Sequence, residues 1–179
     1  DKSNAAVCKD AIESLVLPPK VTIDVIEEDG PVGFGNAINQ GIMYAANNGG
    51  LPEYTVIYND DLHPVNGWIE SMINTFAADH YHLISAAPEK DGDEQIRPKF
   101  SLQNKKIGIV GPVSNCAAGF QQVVSDKTST TMGVTAGAYE EFARQWRQAQ
   151  GDTIFHTEFL SGYCWMFKRE CLIDLMMNE

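Results

Sequence analysis

The chain has 179 residues, 44% apolar and 21% charged, which is enough for one domain with its own hydrophobic core. A formal net charge of -11 argues against the clustered basic face that a DNA or RNA backbone requires, although an acidic site can still hold a polyphosphate through an intervening cation. No apolar run approaches the ~20 residues of a membrane span, and no signal-peptide pattern opens the sequence.

A first helix is expected after Ser3 or Asn4, where Val7, Ala11, Ile12 and Leu15 recur at helical spacing, and Pro18-Pro19 ends it. Residues 21–27 alternate, with Val21, Ile23 and Val25 on one side, and predict a strand. After the loop Asp29-Gly30-Pro31-Val32-Gly33, the spacing of Phe34, Ala37, Ile38, Gly41, Ile42 and Ala45 predicts a helix over Phe34–Asn47, stopped by Asn47-Asn48-Gly49-Gly50. Tyr54–Tyr58 is a short apolar run bounded by turn residues and predicts a buried strand. A helix over 64–78 and a strand over 82–86 follow. Residues 88–106 are polar and irregular and read as a loop; 107–110 read as a strand. Residues 115–132, rich in Ser, Thr, Ala and Gly, read as a functional loop. Ala136–Gln150 is expected to be helical, 163–167 a strand and Arg169–Met177 a helix. Strands and helices thus alternate without a linker. Residues 1–179 are expected to form a single α/β domain with an open, mostly parallel twisted sheet and helices on both faces. Ligands of such sheets sit beyond the carboxyl ends of the strands.

Asn59-Asp60-Asp61 follows the Tyr54–Tyr58 strand directly. Two neighbouring carboxylates repel unless a cation or water separates them. Hard oxygen ligands at a strand end suit Mg²⁺ or Mn²⁺, which keep waters and bridge to phosphates. A solvated Asn/Asp turn explains the same residues without a metal. His63 stands two residues beyond Asp61, at the edge of the same candidate site. Gly33-Phe34-Gly35-Asn36-Ala37-Ile38-Asn39-Gln40-Gly41 opens a helix whose backbone N–H groups favour an anion, or else provides small residues for close packing. It is not the dinucleotide fingerprint, and no P-loop, GxSxG or HExxH element occurs. His80 and His82 read as a helix end and strand start rather than as metal ligands. Lys168-Arg169 reads either as a charge pair at a helix start or as a phosphate contact. The four cysteines form no CxxC pair and read as reduced thiols of a cytoplasmic protein.

The order of these pieces resembles the family 2 nucleotide-sugar glycosyltransferases of the GT-A fold. The resemblance runs through Glu27, the Gly-Phe-Gly-Asn-Ala-Ile-Asn-Gln-Gly helix, and Asn59-Asp60-Asp61 at the family's DxD position. It continues through Trp68 and through Ile109-Val110-Gly111-Pro112-Val113-Ser114-Asn115 with Gly119 and Gln121. It ends in Phe159-Leu160-Ser161-Gly162-Tyr163-Cys164-Trp165-Met166-Phe167-Lys168-Arg169-Glu170. It implies a metal-dependent, inverting transfer of a sugar from a nucleotide-diphosphate donor to a saccharide, lipid-linked or protein acceptor. Asp61 would be the metal ligand and Asp60 would support the ribose or the metal. Glu27, Gly35 and Asn39 would contact the donor. Gly111, Ser114, Ser161, Gly162 and Trp165 would line the acceptor side. Asn59 replaces the first acid of the DxD motif, and Ile38 stands where many members place a phosphate-binding Arg.

The family begins with a strand that would precede this chain, and its catalytic base usually lies in an acidic motif that would follow Glu179. A fragment is therefore expected, with homo-oligomerisation left open. Two other readings stand beside the transferase. One is a truncated or degenerate nucleotide-binding domain without activity of its own. The other is a nucleotidyltransferase, which would want a glycine-rich basic loop near the first strand.

Overall fold

The computed structural model describes residues 22–27, 30–59, 62, 64–78, 80–84, 96–101, 106–114, 121–123, 136–151, 153–157 and 159–177. The expected first helix lies outside them. The chain divides into two units, Asp1–Tyr44 and Ala45–Glu179.

In the first unit, residues 22–27 form no strand and are exposed, Val25 at 55%. The expected strand over 21–27 is therefore corrected. Alternation supplies one apolar face, but a strand also needs a neighbour for its backbone groups, and 22–27 have no ladder with any described residue. Helix α1 spans Phe34–Asn47, its last turn passing into the second unit. Gly33 precedes it with φ 79, a left-handed conformation that costs glycine little, and its carbonyl accepts the Ala37 N–H. At the other end Gly49 and Gly50, φ 148 and 83, break the helix as the Asn-Asn-Gly-Gly run predicts.

The second unit is built around strands β1 (Tyr54–Tyr58), β4 (Ile109–Val110) and β6 (Cys164–Lys168), in the order β1-β6-β4. Both neighbours run antiparallel to β6. Tyr54 stands opposite Lys168 and Tyr58 opposite Cys164, while Val110 stands opposite Met166. This register puts Tyr54, Val56, Val110, Cys164 and Met166 on one face. Helix α2 (Trp68–Phe76) packs on that face through Met72 and Phe76, one turn apart, with Trp68 and Ile73 beside them. Cys164 and Met166 are almost wholly buried there. Each large side chain so buried contributes about 1.5–3 kcal/mol of apolar transfer. Phe76 also stacks on Tyr54 at 5.3 Å and carries the Lys168 ammonium 5.2 Å from its ring centre. The expected helix over 64–78 is thus shorter at both ends. Gly67 holds φ 80, which no helical turn accommodates, and α2 starts only after it.

A second sheet has the order β3-β2-β5, from β2 (His80–Ile84), β3 (Ile96–Ser101) and β5 (Phe155–His156). β2 and β3 are antiparallel with an irregularity between His82 and Ile84; β2 and β5 are parallel. β3 falls in the stretch read as a loop. Pro98 argues against a central strand, but β3 is an edge strand among the described residues and Pro98 falls at the irregularity in its pairing, where proline is tolerated. Helices α3 (Ala136–Gln150) and α4 (Arg169–Met177) have the expected bounds.

The open, mostly parallel twisted sheet expected from the sequence is contradicted. The described residues form two three-stranded sheets, one of them wholly antiparallel, with four helices. Strand direction depends on which distant segment completes each ladder, and β6 returns between β1 and β4 against both.

Candidate functional site

The carboxyl end of β1 meets the amino end of β6. Beyond the Tyr58–Cys164 pair the ladder gains one more bond, from the Asn59 N–H to the Tyr163 carbonyl at 3.0 Å. The Tyr58 hydroxyl donates to the Leu62 carbonyl at 2.7 Å, and its ring lies 5.6 Å from that of Trp68. The chain is therefore tied on both flanks of the acidic pair. Asp60, Asp61 and His63 themselves lie outside the described residues. Among the described residues, no group of three or more His, Cys, Asp or Glu side chains is arranged to hold a metal.

β4 ends beside the same edge, and a hydrogen-bonded knot centred on Gln121 joins its exit to the entry of β6. Gln121 is 5% exposed. Its Nε2 donates to the Pro112 carbonyl at 2.8 Å and to the Tyr163 hydroxyl at 3.3 Å, and its Oε1 accepts the Ser161 N–H. The Tyr163 hydroxyl in turn donates to the Pro112 carbonyl. Ser114 is fixed by backbone bonds, its N–H to the Gln121 carbonyl and its carbonyl to the Val123 N–H, both at 2.8 Å. A Cβ on Gly111 would stand 2.8 Å from Gln121 Nε2 and 3.1 Å from Leu160 Cδ2, so a side chain there would push the Gln121 amide off its present position. The knot consists of neutral hydrogen-bonding groups, as suits a hydroxyl-bearing ligand better than an anion. Burial pushes the Tyr163 hydroxyl well above the ordinary tyrosine range, with the neighbouring Cys164 adding to the effect and the Gln121 bond opposing it. Burial also pushes the Cys164 thiol up to about 11.

Gly111, Ser114, Ser161 and Gly162, expected on the acceptor side, are thus gathered at one edge. Trp165 adjoins them. Its indole lies over Gly162, 3.5 Å from where a Cβ would be, and meets Phe167 edge-on at 6.1 Å. It belongs to the sheet face opposite α2, with Thr55 and Ile57. Its indole nitrogen and the Thr55 hydroxyl are buried with no hydrogen-bond partner among the described residues.

The donor-side residues Glu27, Gly35 and Asn39 all lie in the first unit and are exposed. Among the described residues nothing stands within 4 Å of a Cβ built on Gly35. Lys168-Arg169, read either as a charge pair at a helix start or as a phosphate contact, stands at the start of α4. Lys168 pairs with Tyr54 at the far end of β1, about 17 Å along the sheet from Asn59 at the usual rise per residue. Arg169 caps the chain before β1, donating from Nε to the Pro52 carbonyl at 3.2 Å.

Two features escaped sequence reading. Gln121 entered only through the family resemblance, because a glutamine in a polar stretch carries no local sign of burial. The other is a contact from α3. Glu140 Oε1 accepts the Asn66 N–H at 3.2 Å, and Arg147 Nη1 donates to the Asn66 carbonyl at 2.7 Å. Glu140 and Arg147 are two helical turns apart and so share a face, but nothing local identifies a target more than 70 residues away in the chain.

No helix among the described residues is long and apolar enough to cross a membrane. Comparison with known proteins finds no matching family model, no matching curated protein and no matching solved structure.

Proposed function

We propose that the chain transfers a sugar from a nucleotide-diphosphate donor to a hydroxyl acceptor with the help of a divalent metal. The observation that carries this reading is the bond from Asn59 to Tyr163, which joins the strand end leading into Asp60-Asp61 to the Ser161-Gly162 loop. In this reading donor phosphates and acceptor hydroxyl meet at one sheet edge, as an in-line displacement at the anomeric carbon requires. The donor set of two carboxylates and the Asn59 amide is all oxygen, the chemistry that Mg²⁺ or Mn²⁺ accepts. Asp61 and Asp60 would hold the metal, which would supply Lewis-acid stabilisation of the departing nucleoside diphosphate. The Gln121 knot keeps the Ser161 N–H occupied, so Ser161 would offer a ligand its hydroxyl rather than its backbone. Ser114 and Gly111 would set how closely an acceptor approaches, and Trp165 would support the Gly162 turn from the opposite face. The proton of the acceptor hydroxyl requires a general base, to which none of these neutral groups corresponds.

Thermal unfolding with UDP-, GDP- and dTDP-sugars, each with and without Mn²⁺, tests the proposal, because a ligand of the native state raises the midpoint. A rise that needs both sugar nucleotide and Mn²⁺, and disappears in Asp61→Ala, is expected. A rise independent of metal would reassign the chain as a simple nucleotide binder, and no rise with any donor would refute the proposal.

A further inference from the structure

We propose that the turn at Gly162 covers a subsite for an uncharged, hydroxyl-bearing ligand, with the Trp165 indole N–H as its hydrogen-bond donor. The proposal rests on the reading of the Ser161-Gly162 edge as the acceptor side, and on no metal. An indole N–H can donate but not accept, and a buried donor left unpaired costs the native state its full desolvation. Trp165 Nε1 is such a donor: it is buried, and no acceptor reaches it among the described residues. Its ring places it under the turn. Cζ2, the ring atom next but one to Nε1, stands 3.5 Å from where a Cβ on Gly162 would be, and Cη2 stands 3.7 Å from it. The unpaired N–H therefore belongs to the edge that carries Ser161, on the sheet face opposite α2.

Gly162 is placed to move aside. Both neighbours are pinned: the Ser161 N–H by Gln121 Oε1, the Tyr163 hydroxyl by Gln121 and the Pro112 carbonyl, and the Tyr163 carbonyl by the Asn59 N–H. Neither usual reason for a glycine holds between them. Gly162 has no positive φ, and contacts of 3.5 and 3.7 Å leave ordinary room for a Cβ. What the missing side chain does give is a peptide free to turn over between two fixed residues, which would bare the indole edge.

The surroundings set the ligand class. The described residues at this edge, 111–114, 121–123 and 159–163, carry no charged side chain, in a chain of net charge -11. A charged ligand would enter without a counter-charge among them, whereas a hydroxyl oxygen accepts the indole N–H and can donate in turn to the Ser161 hydroxyl. A donor that is unpaired until the hydroxyl arrives also discriminates strongly against a ligand that lacks one.

The experiment is proton–nitrogen NMR of the indole groups in the whole chain, with Trp165→Phe identifying the Trp165 resonance among the three tryptophans. The probes are methyl glucoside, methyl galactoside and methyl mannoside, with glucuronate as the charged control. At least one methyl glycoside is expected to move the Trp165 indole proton downfield and to slow its exchange with water, while glucuronate leaves it in place. Trp165→Phe is expected to weaken that glycoside about fivefold, and Gly162→Ala, which restricts the peptide, to weaken it as well. No response to any glycoside, an equal response to glucuronate, or wild-type affinity in either variant would overturn the proposal. Should Trp165→Phe fail to fold, Trp68→Phe and Trp146→Phe assign the resonance by elimination and the wild-type response still decides. The readout needs neither sugar nucleotide nor Mn²⁺. A chain that binds glycosides here but shows no stabilisation by any sugar nucleotide would lose the transferase reading and keep the subsite, and the reverse pair of results would do the opposite.

Discussion

Replacing Gln121 by leucine removes the side chain that ties the exit of β4 to the entry of β6. The cost can be followed group by group. The Pro112 carbonyl keeps the Tyr163 hydroxyl as a donor, and Tyr163 keeps that acceptor, so both lose little. The Ser161 N–H loses its side-chain acceptor in a part-buried position, which costs about 1–3 kcal/mol. With the Nε2 bonds gone as well, a net loss of about 2–3 kcal/mol is expected, or roughly 4–12 °C in the unfolding midpoint for a chain of this size. Gln121→Glu refines the test. A carboxylate there would be buried against the Pro112 carbonyl oxygen, so its pKa in the folded state is raised above the ordinary ~4.3. The stability of that variant is then fully present below pH ~4 and is lost as the pH rises through the raised value. Thermal unfolding monitored by circular dichroism from pH 4 to pH 8 measures both effects. A Gln121→Leu midpoint within about 1 °C of wild type, or a Gln121→Glu profile parallel to wild type, would refute the account of the knot.

Gly67→Ala should lower the unfolding midpoint by a few degrees, because a left-handed φ costs an L-residue about 1–2 kcal/mol and the new methyl presses on Arg147. Combined with Arg147→Ala the loss should be smaller than the sum of the two single losses, and strict additivity would exclude the contact. Cys164, with its thiol raised to about 11 by burial, should react with a thiol reagent at pH 8 only as fast as the protein opens. Mass-spectrometric detection of rapid labelling in the native state would contradict that burial.

What could be read from the sequence follows the range of the forces involved. The bounds of α1, α3 and α4 were legible because capping, periodicity and the Asn-Asn-Gly-Gly stop act within a few residues. The strand Tyr54–Tyr58 was legible because a short apolar run between turns has few alternatives, although it is half-buried rather than buried and Tyr58 is exposed. Strand direction was not, since β1 and β6 are brought together from opposite ends of the second unit. β3 was hidden by Pro98, which is tolerated because the strand lies at an edge among the described residues. Residues 22–27 mislead in the other direction, since they carry β-branched alternation yet find no ladder with any described residue. Of the candidate site, Gly111, Ser114, Ser161 and Gly162, named from the motif order, lie at one sheet edge. Gln121 and Tyr163, which hold that group together, are polar side chains whose burial depends entirely on contacts remote in the sequence.

The most direct measurement is anomalous scattering from crystals of the chain grown with Mn²⁺ and UDP, recorded at the manganese edge. The account predicts a peak within coordination distance of an Asp61 carboxylate oxygen, at the edge formed by Asn59 and Tyr163. A manganese peak elsewhere, or UDP bound with no manganese at Asp61, would contradict it.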